Sequence, residues 1–502
     1  MSEQSPSTTG RAPDAGEPAV GGGTVTANAV PERPLAYWIG VLLVLVLLSE
    51  EVAYAFNLVT PALPGMAEAF QTTQIGWVST AFSLAGAITA PLVGKLADMY
   101  GKKRWLLIAA GTMVVGSAIV ALAPSFAFVV VGRTIEGVGL AIVPITYSLM
   151  RDIFPKRMLA MAVSISVAGI GLTGIVGPII AGVLIDNFGY RGVFWALALF
   201  PLAIGILVFL VVPESPVRVR SRIDWAGAGL LGLALAVLLL GVGEGATWGW
   251  TDWKTLGCFV VAVLVFMAWV GYERRPEFPL VDLTLVRSRA VVTTMLASFT
   301  SQGVIALQFV LLSFVVQVPR ELGGTYGFGE SASAMAAYTS PAGVISMAMG
   351  FVVGWLAERR GARLPLWVGF ALAAAGSLVL AFAHDTPTQV VIGYFVYAVG
   401  GGLISAAVPN LVIAAVPVEQ QAVSASTINV VGSLGSTIAV QVGFAILLTT
   451  VVTVVQGTPI YGGAGITAVY VLAAVLSVVG LVAGLLMRHG RRPQSAEAVS
   501  TV

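Results

Sequence analysis

Fourteen runs of about twenty apolar residues, each long enough to cross the hydrocarbon core of a bilayer, dominate this sequence. They fall at 36–58, 73–94, 104–123, 126–149, 160–184, 192–213, 224–244, 254–272, 290–317, 333–356, 364–383, 387–415, 422–452 and 465–487. A backbone crossing lipid must satisfy its own hydrogen bonds, and helices of this length do so. Charge is too scarce for a water-facing surface: 10% of the 502 residues are charged, against roughly 25% in a soluble protein, and the mean hydropathy is +0.93. The chain is expected to be an all-α polytopic membrane protein.

Charge placement tests that count independently. With the N-terminus inside, alternate loops should collect Lys and Arg. Of 26 basic residues, all but Arg133, Arg191, Lys254 and Arg320 fall in the tails or in alternate loops. Both termini are therefore expected on the cytoplasmic side of a cell membrane. Trp248, Trp250 and Trp253 in "TWGWTDW" suit an outer interfacial hairpin. Residues 1–34, rich in Pro, Gly, Ser and Thr, read as a disordered cytoplasmic tail with nothing to bury. A lone Cys258 permits no intrachain disulfide, and two histidines, His384 and His489, cannot form a histidine-rich metal site. No metal or other cofactor is expected.

"GKLADMYGKKR" from Gly94 is echoed by "GWLAERRGAR" from Gly354, and "AVSIS" from Ala162 by "AVSAS" from Ala422, all at one offset of 260. Two strings sharing one offset point to homologous halves, an organisation of secondary transporters whose site lies between the halves near the midplane. The expected division is a six-helix bundle over 35–213, a two-helix insert over 214–275, a second six-helix bundle over 276–488, and a cytoplasmic tail over 489–502.

"GKLADMYGKKR" resembles the loop 2–3 signature of the major facilitator superfamily. Fourteen spans with a central insert resemble its fourteen-helix drug:proton antiporter branch. The resemblance implies the major facilitator fold, two six-helix bundles (helices 1–6 and 9–14) plus the insert. Gly94 and Gly101 would allow close helix approach and a tight turn, and Lys102, Lys103 and Arg104 would anchor to anionic headgroups. It also implies that Asp98, with its repeat counterpart Glu358, latches the inner face as the halves rock, with Gly94, Gly101 and Lys102 completing the gating set. "VGRTIEGVG" resembles the second signature of the family, with Glu136 where Gln is usual. "GLTGIVGPIIAG" resembles the antiporter signature at Gly174, Gly177, Pro178 and Gly182, while Thr173 and Ala181 stand where glycines are common. Small residues with a proline should give a closely packed, kinked helix.

The first span, "LVLLSEEVAYAFNLVTPALP", carries two adjacent acids in an otherwise apolar run. Intramembrane carboxylates are costly and usually functional. Glu50, Tyr54, Asn57 and Pro61 fall at i, i+4, i+7 and i+11, one polar stripe facing a central substrate cavity. Glu51 lies about 100° round, toward the cavity edge or a neighbouring helix. Glu50 is about 20 Å from the inner surface and Arg133 about 10 Å from the outer one, so their depths coincide in a core of about 30 Å. Arg133 and Glu136, three apart, share a helical face. Arg133 can therefore belong to Glu136 as a structural pair or to Glu50 as part of a proton site. Glu50, Glu51, Arg133 and Glu136 are the proton-coupling candidates, and a locked ion pair is the structural alternative.

No phosphate-binding Gly-Lys-Ser/Thr loop, HExxH or paired cysteines occur, so the chain is not expected to be an enzyme. The expected function is proton-coupled export of amphipathic or cationic small molecules by alternating access. Export of an endogenous metabolite or lipid, and proton symport, are the alternatives. Expected partners are a small-molecule substrate, protons and membrane lipids, with no nucleic acid; the chain is expected to be a monomer.

Overall fold

A computed structural model describes residues 34–218, 224–275, 288–323, 326–415, 421–455, 458–487 and 489–490. Nearly all of the expected tail over 1–34 and most of that over 489–502 lie outside them. The first part of the chain forms α1 (Leu35–Asn57), a 3₁₀ turn (Thr60–Ala62), α2 (Leu63–Phe70), α3 (Trp77–Tyr100), α4 (Lys102–Ala121), α5 (Phe126–Gly137), α6 (Ile142–Ile153) and α7 (Lys156–Val211). The insert follows as α8 (Trp225–Trp248) and α9 (Trp253–Glu273). The remainder forms α10 (Arg289–Gln317), α11 (Arg320–Gly323), α12 (Ala332–Arg360), α13 (Arg363–Phe382), α14 (Pro387–Ala415) and α15 (Gln421–Leu448). Strands β1 (Val451–Val455) and β2 (Thr458–Tyr461) then lead into α16 (Gly463–Leu486).

Among the described residues thirteen helices are long and apolar enough to cross a membrane. One of them, α7, carries two crossings. Its 56 residues would extend about 84 Å as one straight helix, and Gly189 breaks it with φ 65° and ψ −171°. Pro178 lies inside helical backbone, and the non-helical break at Gly189 falls between the expected fifth and sixth spans.

Helices α1 to α7 pack chiefly on one another, as do α10 and α12 to α16. The two bundles meet along two seams, α7 against α12 and α3 against α15. Helix α8 lies over the second seam, with Leu231, Leu235 and Leu239 clustered beside Leu84, Ile88, Leu434 and Ile438. Helix α9 covers α8 and exposes Val260, Val263, Leu264 and Met267, an apolar surface suited to lipid. The repeat is visible in backbone geometry: Gly101 and Gly361, 260 residues apart, both have positive φ (127° and 79°) between consecutive helices.

One connection departs from expectation. The thirteenth run was expected to extend to 452, but α15 stops at Leu448 and an antiparallel hairpin pairs Val451 with Tyr461 and Val455 with Thr458. "VVTVV" is β-branched throughout, which favours a strand as soon as the chain leaves the helix.

Candidate functional site

Glu50 and Glu51 are both buried on α1, and they face different neighbours. The Glu50 carboxylate points at α7: its Oε2 accepts a hydrogen bond from the Thr173 hydroxyl at 2.5 Å. Its Oε1 lies against Gly169, one turn earlier on α7, where even a single added carbon would collide with it. Tyr54, on α1, and Tyr147, on α6, are the phenols that interact electrostatically with Glu50. Glu51 is fully enclosed, and neither of its oxygens has a hydrogen-bond partner among the described residues. The charged group that acts on it is Glu136 of α5.

The rest of the expected stripe diverges. Tyr54 is half-buried against Phe200, with ring centroids 5.6 Å apart. Asn57 turns its amide back to the Ala53 carbonyl at 3.0 Å and packs beside Gly177. Pro61 leaves the stripe altogether. The α-helix ends at Asn57, the 3₁₀ turn changes the angular step, and the buried Pro61 offers its carbonyl to Gln317 of α10 at 2.9 Å.

Arg133 is not brought to Glu50. Its guanidinium pairs with Glu136, donates through Nε to the Val78 carbonyl at 2.9 Å, and stacks over Phe82 at 4.2 Å. Glu136 also accepts from the Ser117 hydroxyl. A buried guanidinium needs such partners, because an unpaired charge at this depth costs several kcal/mol. The substitution of Glu for the usual Gln at position 136 thus supplies the counter-ion on the same helix, and leaves Glu50 to α7.

At the end carrying the basic loops, Asp98 is half-exposed and pairs with Lys102 at 3.3 Å. Lys102 was expected at the headgroups; instead it is buried, held also by Asp152 from the end of α6. The Ser215 hydroxyl donates to the same Asp152 oxygen at 2.5 Å. Glu214 accepts from the backbone N–H groups of Lys103 and Arg104 at 3.0 and 3.2 Å, so it caps α4 from a distant segment. A carboxylate there meets both orphan donors and the positive end of the helix. Gly101 supplies the positive-φ turn, and a side chain there would strike Glu214. Gly94 was expected to permit close approach, but the space beside it is open. Lys103 donates to the Phe209 carbonyl at 2.7 Å, so it too is held by protein. The Glu358 side chain lies outside the described residues, leaving the expected Asp98–Glu358 latch without a geometry.

The antiporter-like segment runs along the α7–α12 seam. The Ser340 hydroxyl donates to the Ile175 carbonyl at 2.7 Å, and Gly343 abuts the Gly174 carbonyl. Nearer the break, Gly182 lies against the Ser333 backbone, and Asp186 accepts from the N–H groups of Ala332 and Ser333, both at 3.1 Å. Gly174 itself has open space where its side chain would be.

Several of these residues were absent from the sequence-derived set: Gly169, Thr173 as a partner of Glu50, Tyr147, Ser117, Asp152 and Glu214. The i, i+4 spacing of Gly169 and Thr173 was the one available signal, since it puts both on one face of a helix.

The profile of the Major Facilitator Superfamily matches residues 52–440, more than half of the chain. The chain belongs to the major facilitator superfamily. It is 29% identical over 403 residues to the multidrug resistance protein Stp of Mycobacterium tuberculosis, covering 78% of this chain and 71% of that protein. It is 32% identical over 216 residues to the tetracenomycin C resistance and export protein of Streptomyces glaucescens, covering 43% and 40%. Among solved structures, a peptide transporter of the POT family superposes with a TM-score of 0.63 at 15% identity, covering 90% of this chain and 98% of that one, which shows the shared fold. As a member of this superfamily the chain is a multi-pass membrane transporter of small molecules.

Proposed function

We propose that this transporter exports amphipathic or cationic small molecules in exchange for protons, with Glu50 as the group at which proton and substrate compete. The observation that carries the reading is the position of Glu50: a buried carboxylate whose hydrogen-bond donor belongs to α7, the helix that forms the seam between the two bundles. Arg133 is committed to Glu136, so Glu50 and Glu51 form a buried acidic surplus on α1. The similarity to drug-resistance proteins supports export. The orientation belongs to the proposal: basic loops, and hence both termini, on the cytoplasmic side.

The test is transport by reconstituted protein across a pH gradient, paired with substrate counterflow without one, screening cationic, neutral and lipid-like compounds. Glu50→Gln is expected to lower gradient-driven transport by at least about a hundredfold, the scale on which positioned proton transfer acts, while counterflow of neutral compounds persists. Glu51→Gln is expected to be milder. Wild-type gradient-driven rates in the Glu50→Gln protein would overturn the assignment. A second reading, export of an endogenous product, draws on the similarity to a tetracenomycin C export protein. Selective counterflow of one product class, with indifference to unrelated cations, would favour it.

A further inference from the structure

We propose that Gly169 and Thr173 of α7 form a cradle that reads the protonation of Glu50 and passes it to the seam between the bundles. The inference rests on the reading of Glu50 as the proton site and adds the residues that make its protonation felt elsewhere.

The geometry is compact. In this structure Glu50 accepts the Thr173 hydroxyl at 2.5 Å, an arrangement that suits a carboxylate, which can only accept. The vacant side chain of Gly169 is what allows the second oxygen to lie against α7. Two residues beyond Thr173, the Ile175 carbonyl accepts from Ser340 of α12 at 2.7 Å, and between them the Gly174 carbonyl faces Gly343. The cradle and the seam thus occupy two consecutive turns of one helix.

Protonation reverses the demand at this contact. Glu50 takes one proton from a hydronium ion, whose O–H bond breaks and which departs as water, and the neutral acid becomes a donor needing an acceptor. The Thr173 oxygen can serve if its own hydrogen turns away. The helix offers that hydrogen the carbonyls three and four residues back, the latter being that of Gly169. Threonine back-bonding of this kind bends helices. A bend between 169 and 173 changes the angle at which Gly174 and Ile175 meet α12, so protonating one acid alters the packing between the bundles.

The other charged or titratable groups near Glu50 are Glu51 and Tyr54 on α1 and Tyr147 on α6, with the Arg133–Glu136 pair on α5 behind Glu51. Across the seam α12 presents Ser340, Gly343 and Met347 to this stretch of α7, none of them titratable. Thr173 is therefore the hydroxyl that connects the acid to the seam helix, a positioning residue acting through Glu50.

The experiment compares Thr173→Val, Thr173→Ser, Gly169→Ala and Glu50→Gln in proteoliposomes. Gradient-driven transport and gradient-free counterflow are measured, together with spin-label distances across the α7–α12 seam as a function of pH. Thr173→Val is expected to lose gradient-driven transport by at least about tenfold, the scale of one charge-assisted hydrogen bond, with counterflow retained and the seam distance made insensitive to pH. Thr173→Ser keeps the hydroxyl and is expected to behave as wild type. Gly169→Ala unseats the carboxylate without touching the hydroxyl, so it is expected to match Thr173→Val and serves if the valine variant fails to fold. Thr173→Val or Gly169→Ala with wild-type coupling overturns the cradle, and so does a serine variant as defective as the valine one. An inactive Glu50→Gln beside a fully coupled Thr173→Val leaves Glu50 as the proton site and removes only the cradle. A fully coupled Glu50→Gln removes both.

Discussion

Arg133 has three kinds of partner within reach of one guanidinium: a carboxylate on its own helix, a backbone carbonyl on α3 and an aromatic face. Removing one side of such a buried pair strands the other, at about 3–5 kcal/mol. Arg133→Ala should therefore destabilise strongly, and Glu136→Gln should recover part of the loss, with a coupling of at least about 1 kcal/mol in a double-mutant cycle of unfolding in detergent. The same cycle run with Glu50→Gln should be additive, since Glu50 spends its hydrogen bond on Thr173. Coupling to Glu50 instead would return Arg133 to the proton site. At this scale the sequence was readable only in part. The i, i+4 spacing brought Glu50 and Tyr54 onto one face, and the i, i+3 spacing allowed Arg133 to meet Glu136. Thr173 read as a lapse from a glycine-rich signature, because nothing in a linear sequence says that Glu50 will be packed against a residue 123 positions away.

The ends of helices carry the next layer of organisation. Arg363, in the second copy of the repeated loop signature, donates through Nε and Nη2 to the Gly484 and Leu485 carbonyls at 3.1 and 2.6 Å, which closes the C-terminal end of α16. Just past that end, His489 meets the Thr294 hydroxyl of α10 at 3.1 Å, and the Arg363 N–H donates to the Gly490 carbonyl at 3.2 Å. Burial first, and then the nearby Arg363 charge, push the His489 imidazole below its ordinary value. A depressed value in the folded state means that the contribution of this seat is complete above the free-histidine range, about 6.5, and is lost as the pH falls below it. Amide exchange of 484–490 should accelerate from neutral pH toward about pH 5.5, beyond the intrinsic effect of pH, and His489→Gln should abolish that extra acceleration. Unchanged acceleration in the glutamine variant would exclude the histidine as its source. Elements were the most legible level of the chain, since an apolar run of the right length in lipid has few alternatives. The hairpin after α15 escaped because "VVTVV" is as apolar as the helix before it, so hydropathy alone extends the span.

Over the whole molecule, the named polar contacts between the bundles gather at or beyond mid-depth, toward the end away from the basic loops. Gln317 meets Pro61, Asp186 meets the start of α12, and Thr80 donates to Gln441 at 2.8 Å with both residues buried. The insert joins the same end, Gln74 donating to Glu244 of α8 at 2.5 Å. Toward the basic loops, among the described residues, Asp98, Lys102 and Asp152 are paired within the first bundle, and Glu214, at the start of the insert, holds the N-terminus of α4. These contacts hold the bundles together at the end away from the basic loops, and alternating access requires that end to separate in turn. Cysteines at Thr80 and Gln441, in a Cys258→Ser background, should be bridged readily by a short bifunctional thiol reagent, since the native side chains already touch. The bridged protein should lose transport in proteoliposomes while the purified, bridged protein still binds substrate, because the route from the basic end needs no separation at this point. Reduction of a cleavable bridge should restore transport. Transport at the unbridged rate by fully bridged protein would mean that the α3–α15 seam stays shut throughout the cycle, and the rocking of one bundle against the other would have to be confined to α7 and α12.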